Sequence, residues 1–182
     1  LVNVEDSAAA HAADICLSLQ AGPELSVAAT KSFIVSLVAG AAIVAHWLDR
    51  KDLLAAIEAL PGQLATTARI DWPEAVDLAT GAESLYVVAR GPSLPIATET
   101  ALKLKETCAI HAEAYSIAEV MHGPLELLGK GFPVLAYSPE DGARQSSRIS
   151  LGKMRQAGAN VLVAEEGGLP FVRTGNTLLD PI

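Results

Sequence analysis

The fold turns on Leu85-Tyr86-Val87-Val88-Ala89-Arg90-Gly91-Pro92-Ser93. Five successive apolar residues without alternation predict a strand buried on both faces, as in a parallel sheet. The Gly-Pro pair after them predicts a tight turn. A helix is expected from about Pro95 to Cys108. Further along, Pro133-Val134-Leu135-Ala136-Tyr137 reads as a second strand, 141–156 as a helix and Val161-Leu162-Val163-Ala164 as a third strand. Thr177-Leu178-Leu179 reads as one more. Strands alternating with helices across short loops imply a parallel sheet covered on both faces, a three-layer α/β/α arrangement.

Upstream the pattern differs. Leu1-Val2-Asn3-Val4 reads as the end of a buried strand, Asp6-Ser7 as the cap of a short Ala-rich helix, and Ile15-Cys16-Leu17-Ser18-Leu19 as another strand. Ala21-Gly22-Pro23-Glu24 is a turn, after which Ser26 is placed to cap a long helix reaching about Asp49. A second helix spans 51–60, with Leu53, Leu54, Ile57 and Leu60 on one face. Pro61-Gly62 is expected to end it, a further helical stretch to reach about Ile70, and Trp72-Pro73-Glu74 to open the next helix.

Composition bounds the function. Of 182 residues 51% are hydrophobic, 19% charged and 4% aromatic, which is a globular composition and not a disordered one. The net charge of −8 argues against a nucleic-acid partner. It leaves room for a phosphorylated ligand, because backbone N–H groups and hydroxyls can hold a phosphate locally. The most apolar run, Ser32 to Leu48, is shorter than the ~20 residues of a membrane span and carries Ser36, Gly40 and His46, so it reads as a helix buried in protein. Cys16 and Cys108 stand in apolar contexts without CxxC or paired Cys/His spacing. They are expected to be buried thiols in a reducing, cytoplasmic compartment, with no metal site and no cofactor.

Reactive side chains are densest between Glu99 and His122. Glu99, Lys103 and Glu106 are spaced by four and three and share one helix face. Alone, that spacing would describe an exposed ion-pair ladder. The helix runs, however, into His111-Ala112-Glu113-Ala114-Tyr115, read as a polar loop beside a buried sheet, where binding sites tend to lie. The His122-Gly123-Pro124 bend then holds an imidazole on a constrained turn, which is equally the position of a structural turn histidine.

Ala101-Leu102-Lys103-Leu104-Lys105-Glu106, Ile110-His111-Ala112-Glu113-Ala114-Tyr115, His122-Gly123-Pro124-Leu125, and Ala21-Gly22-Pro23-Glu24 with Val27-Ala28-Ala29-Thr30-Lys31 resemble, in order and spacing, the sugar-isomerase (SIS) domain family. The similarity is to the isomerase domain of glucosamine-6-phosphate synthase and its SIS-type deaminase/isomerase relatives. It covers nearly the whole chain. It implies the second half of a first SIS unit in 1–48, a helical linker in 49–73 and a nearly complete second unit in 74–182.

The resemblance also implies roles. Glu106 matches the family's acid/base that moves a proton between C1 and C2. Lys103 matches the lysine one turn before it, near the sugar, and Glu99 is placed with the substrate-binding residues. His122 matches the ring-opening histidine, which in the family reaches the site from the partner subunit, so a homodimer with shared sites is implied. Val27 and Ala29 match positions whose backbone lines the sugar pocket. Two departures stand out: Ala29 replaces a common Ser, and Met121 replaces a common Lys. The family's phosphate loop is expected before Leu1 and its Schiff-base lysine after Ile182, and no glutaminase region lies in 1–182. The expected substrate is a phosphorylated sugar. The resemblance implies first a glucosamine-6-phosphate deaminase/isomerase, second the isomerase part of a glutamine–fructose-6-phosphate aminotransferase, and third a phosphosugar-binding regulator without catalysis.

Overall fold

The computed structural model describes residues 1–138 and 140–182. The chain forms two compact units, Leu1–Leu60 with Ile182, and Pro61–Pro181.

In the first unit, Ser7 caps α1 (Ala8–His11), its hydroxyl accepting from the Ala10 amide at 3.3 Å. The two strands expected on either side reduce to a single parallel bridge, Val2 with Ser18. Leu1, Val4 and Ile15 are exposed. A two-stranded pairing has too little sheet to stabilise itself, and apolar character alone does not create a ladder. The long helix α2 is Lys31–Trp47 and starts later than a Ser26 cap would require. Its expected burial is also corrected: Ala41 and Ala45 are covered, whereas Trp47 and Leu48 are exposed.

The helix α3 runs Lys51–Thr67 with Pro61 inside it. The expected break does not occur. Proline's fixed φ is itself helical; it removes one hydrogen bond and crowds the preceding turn, so it weakens a helix without forbidding one. The division between the two units falls at this proline.

The second unit holds α4 (Pro73–Ala79), β1 (Ser84–Ala89), α5 (Leu94–Cys108), β2 (His111–Ser116), β3 (Pro133–Tyr137), α6 (Arg144–Gln156) and β4 (Asn160–Ala164). The four strands are all parallel in the order β2-β1-β3-β4. Alternate residues of β1 face opposite layers. Leu85, Val87 and Ala89 pack with Ala97 and Ala101 of α5 and with Leu78 and Ala79 of α4. Tyr86 and Val88 pack with Leu151 and Met154 of α6. This is the three-layer α/β/α arrangement that the apolar run at 85–89 predicts.

Two local readings change. The segment 111–116, expected as a loop, is the edge strand β2, in register with β1 from Ser84↔His111 to Ala89↔Ser116. An edge strand is paired on one side only and tolerates alternating polar residues, so His-Ala-Glu-Ala-Tyr-Ser does not look like the buried strands beside it. Residues 177–179 form a turn instead of a strand. Asp180 Oδ1 accepts from the Thr174 amide and hydroxyl, each at 2.7 Å, and Asn176 Oδ1 from the Leu178 amide at 3.0 Å. These side chains compete with ladder pairing. The apolar pattern reflects the burial of Leu179.

Candidate active site

The helix α5 leaves the carboxyl end of β1 and descends to the amino end of β2, so its last turns lie at the amino edge of the sheet. Ala97 and Ala101 face the sheet and set the helix rotation. Glu99, Lys103 and Glu106 then share another stripe. The Lys103 Nζ lies 3.1 Å from Glu99 Oε1 and 2.8 Å from Glu106 Oε2. The Glu99, Lys103 and Glu106 side chains are 20%, 21% and 26% exposed, with Glu106 the most open of the three. The hydrogen bond to Glu106 is the main cause holding the Lys103 ammonium above its ordinary pKa, with Glu99 adding to it. A fixed cation between two carboxylates orients the Glu106 oxygen and holds a permanent positive charge beside it. A carboxylate held in this way has the chemistry of a candidate general base.

The end of α5 is held in place by backbone geometry. Ala109 sits in the left-handed region at φ 55°, and the Ile110 amide donates to the Leu104 carbonyl at 3.3 Å, closing the last turn.

His122 ends a 3-10 turn, Glu119–His122, in the crossover between β2 and β3. Buried Val120 and Leu128 anchor this segment in the core, and His122 itself is exposed. Gly123 follows at φ +152°, a conformation that L side chains rarely adopt, so the bend after the imidazole depends on glycine. Among the described residues no hydrogen bond joins His122 to the Glu99–Lys103–Glu106 group.

Val27 and Ala29 belong to the first unit, in the loop before α2. Val27 is 93% exposed, and the Ala29 amide donates to the Val27 carbonyl at 3.0 Å. Sequence reasoning missed the residue that organises this loop. Glu24 Oε1 accepts from the Thr30 amide at 3.2 Å, the Ser32 amide at 2.8 Å and the Ser32 hydroxyl at 3.1 Å. The Ser32 amide is the main cause holding its carboxyl below the ordinary range. The available signal was an acidic residue shortly before a helix with no acidic first turn.

Both cysteines are exposed, against expectation. Cys16 lies in an irregular segment, and Cys108 is the last residue of α5. Cys108 borders an apolar cavity of about 690 Å³, whose other walls include Trp72, Val76, Thr100, Leu104 and Leu135. None of Glu99, Lys103 and Glu106 lines it. Among the described residues no group of three or more His, Cys, Asp or Glu could hold a metal ion. No helix among them is long and apolar enough to cross a membrane.

Comparison with known proteins places this geometry. Residues 80–164, which contain β1 to β4 with α5 and α6, match the SIS domain family. Glutamine–fructose-6-phosphate aminotransferase [isomerizing] of Zymomonas mobilis is 34% identical over 93% of this chain, which covers 30% of that protein. The Escherichia coli K12 protein of the same name is 34% identical over 97% of the chain, again covering 30% of the relative. The chain thus spans about 30% of the length of these curated relatives. Among solved structures, a protein of Silicibacter pomeroyi assigned as a phosphosugar isomerase superposes with a TM-score of 0.84 at 43% identity, covering 90% of this chain and 52% of that one. A glucosamine-6-phosphate deaminase of Thermotoga maritima superposes at 0.71 with 22% identity, covering 98% and 58%, a likeness of fold alone. The parallel sheet, the helices on its two faces and the matched segment together make residues 80–164 a SIS domain.

Proposed function

We propose that this chain is the isomerase part of a phosphosugar enzyme of the glutamine–fructose-6-phosphate aminotransferase kind, interconverting ketose and aldose forms of a hexose phosphate. The observation that carries the reading is the Glu99–Lys103–Glu106 group, whose ammonium lies 3.1 and 2.8 Å from the two carboxylates. Relatives of that name at 34% identity support the aminotransferase reading over the deaminase/isomerase placed first from sequence. The deaminase likeness, at 22% identity, speaks only to fold.

In this reading Glu106 takes a proton from C1 of the open-chain ketose and returns it to C2, while the O1 hydroxyl proton passes to the atom on C2 (oxygen, or nitrogen once ammonia has condensed there with loss of water) and the carbonyl forms at C1. Lys103 holds the carboxylate in place and supplies positive charge beside the developing enediolate oxygen. Glu99 fixes Lys103 from the other side. His122 exchanges the proton needed for ring opening, a task suited to imidazole near neutral pH, and does so in the site of the partner subunit of a homodimer. The backbone at Val27 and Ala29 lines the sugar.

The test is turnover by the intact protein. Incubated with fructose 6-phosphate and either glutamine or ammonia, it should form glucosamine 6-phosphate. Release of ammonia from glucosamine 6-phosphate without synthesis would favour the deaminase. Binding of both sugars with no turnover of either would favour a regulator and remove the catalytic role of Glu106.

A further inference from the structure

The start of α2 is built in an unusual way. Thr30 occupies the cap position, yet its own side chain makes no capping bond. The cap comes instead from Glu24, six and eight residues before the amides it accepts from. A helix that needed only a cap could take it from the threonine already in place. A carboxylate reaching back from Glu24 does something more: it closes the intervening loop against the first turn of the helix.

Other ties act on the same loop. Lys31 Nζ donates to the Pro23 carbonyl at 2.8 Å. Asn3 holds the preceding residues, its Oδ1 accepting from the Ala21 amide at 2.9 Å and its Nδ2 donating to the Gly22 carbonyl at 2.7 Å. Between these ties the loop projects, with Leu25 and Val27 each 93% exposed. An exposed loop of this kind would sample many conformations if it were held only by its ends, at an entropic cost to any ligand that needs one of them.

We infer that Glu24 is a positioning residue for substrate binding: with Lys31 it presets the backbone of residues 25–29 in the conformation that lines the sugar. The inference rests on the proposed function for the role of Val27 and Ala29. Backbone N–H and C=O groups cannot be re-aimed by a rotamer change, so their usefulness to a sugar depends on the loop conformation being fixed beforehand. Loosening the loop should therefore weaken binding and leave the proton-transfer step largely intact.

The experiment compares Glu24→Ala, Glu24→Gln and Lys31→Met with wild type in the intact protein, using fructose 6-phosphate turnover and amide hydrogen exchange of residues 25–32. Glu24→Ala should raise KM about tenfold or more with kcat within about threefold, and should speed exchange at Thr30 and Ser32. Glu24→Gln keeps an acceptor oxygen and should restore KM to within about threefold. Lys31→Met, which cuts the second tie, should raise KM in the same direction and decides the matter if Glu24→Ala fails to fold. A KM within about twofold of wild type in the folded variants overturns the inference. So does a fall in kcat with KM unchanged, which would place Glu24 in the chemical step. Wild-type protein without turnover would sink the substrate reading and with it the binding role. Unchanged exchange at residues 25–32 in Glu24→Ala would sink the loop-holding role by itself, whatever the activity.

Discussion

Glu106 presents its carboxylate to an ammonium 2.8 Å away, and that ammonium is shared with Glu99. If Glu106 moves the proton, Glu106→Gln in the intact protein should retain fold and most of the substrate affinity, while turnover falls by about 10²–10⁴-fold. Turnover within a few-fold of wild type would return the three residues to the status of an ion-pair ladder. At the same scale, Glu24 makes a pH prediction. Its folded pKa is lowered, chiefly by the Ser32 amide. Such a group contributes stability in full above its unfolded pKa and loses it as pH falls through the lower folded value. The stability difference between wild type and Glu24→Gln should thus be flat above about pH 5 and shrink as the solution is acidified below about pH 4. A difference that grew on acidification, in denaturation curves taken across that window, would show that the carboxylate is not held as described.

Among the elements, α5 carries the proposed Glu99–Lys103–Glu106 site, and its C-terminal end is the weak point of its construction. Ala109 adopts φ 55°, where a Cβ is strained and glycine is not. Ala109→Gly should stabilise the protein by about 0.5–1 kcal/mol, read as a higher denaturation midpoint at constant slope. Activity should be unchanged, because the substitution relieves strain without moving Glu106, three residues earlier. A loss of stability would mean that the Ala109 methyl contributes packing that exceeds the backbone strain. The neighbouring element β2 shows how an edge strand hides from periodicity. Its burial is confined to Ala112 within an otherwise exposed or half-buried strand, and its polar side chains read as loop until β1 is seen alongside.

For the whole molecule, the proposal of shared sites predicts complementation. Glu106→Gln and His122→Ala proteins, each nearly inactive, are mixed and allowed to exchange subunits. If His122 serves the partner's site, one site of each mixed dimer inherits both lesions and the other neither. Random exchange of equal amounts then restores about a quarter of wild-type activity, by symmetric-dimer logic. Mixed dimers seen by mass analysis, with activity still at the level of the parents, would show that His122 acts within its own subunit or not at all.

What the sequence determined by itself was whatever strong local chemistry controls. The unbroken apolar run 85–89 and its Gly-Pro turn required a strand buried on both faces, and β1 with its two covering layers follows. Helical spacing put Glu99, Lys103 and Glu106 on one stripe, and there they meet. The tertiary structure decided what depends on partners far along the chain. Leu1–Val4 and Ile15–Leu19 are apolar enough for strands, yet only one bridge forms, because a ladder requires neighbours that composition does not supply. His111–Ser116 is polar enough for a loop, yet it is a strand, because β1 offers it a free edge. The start of α2 is set by neither Ser26 nor Thr30. It is set by Glu24, whose side chain is long enough to reach the Thr30 and Ser32 amides across the intervening loop.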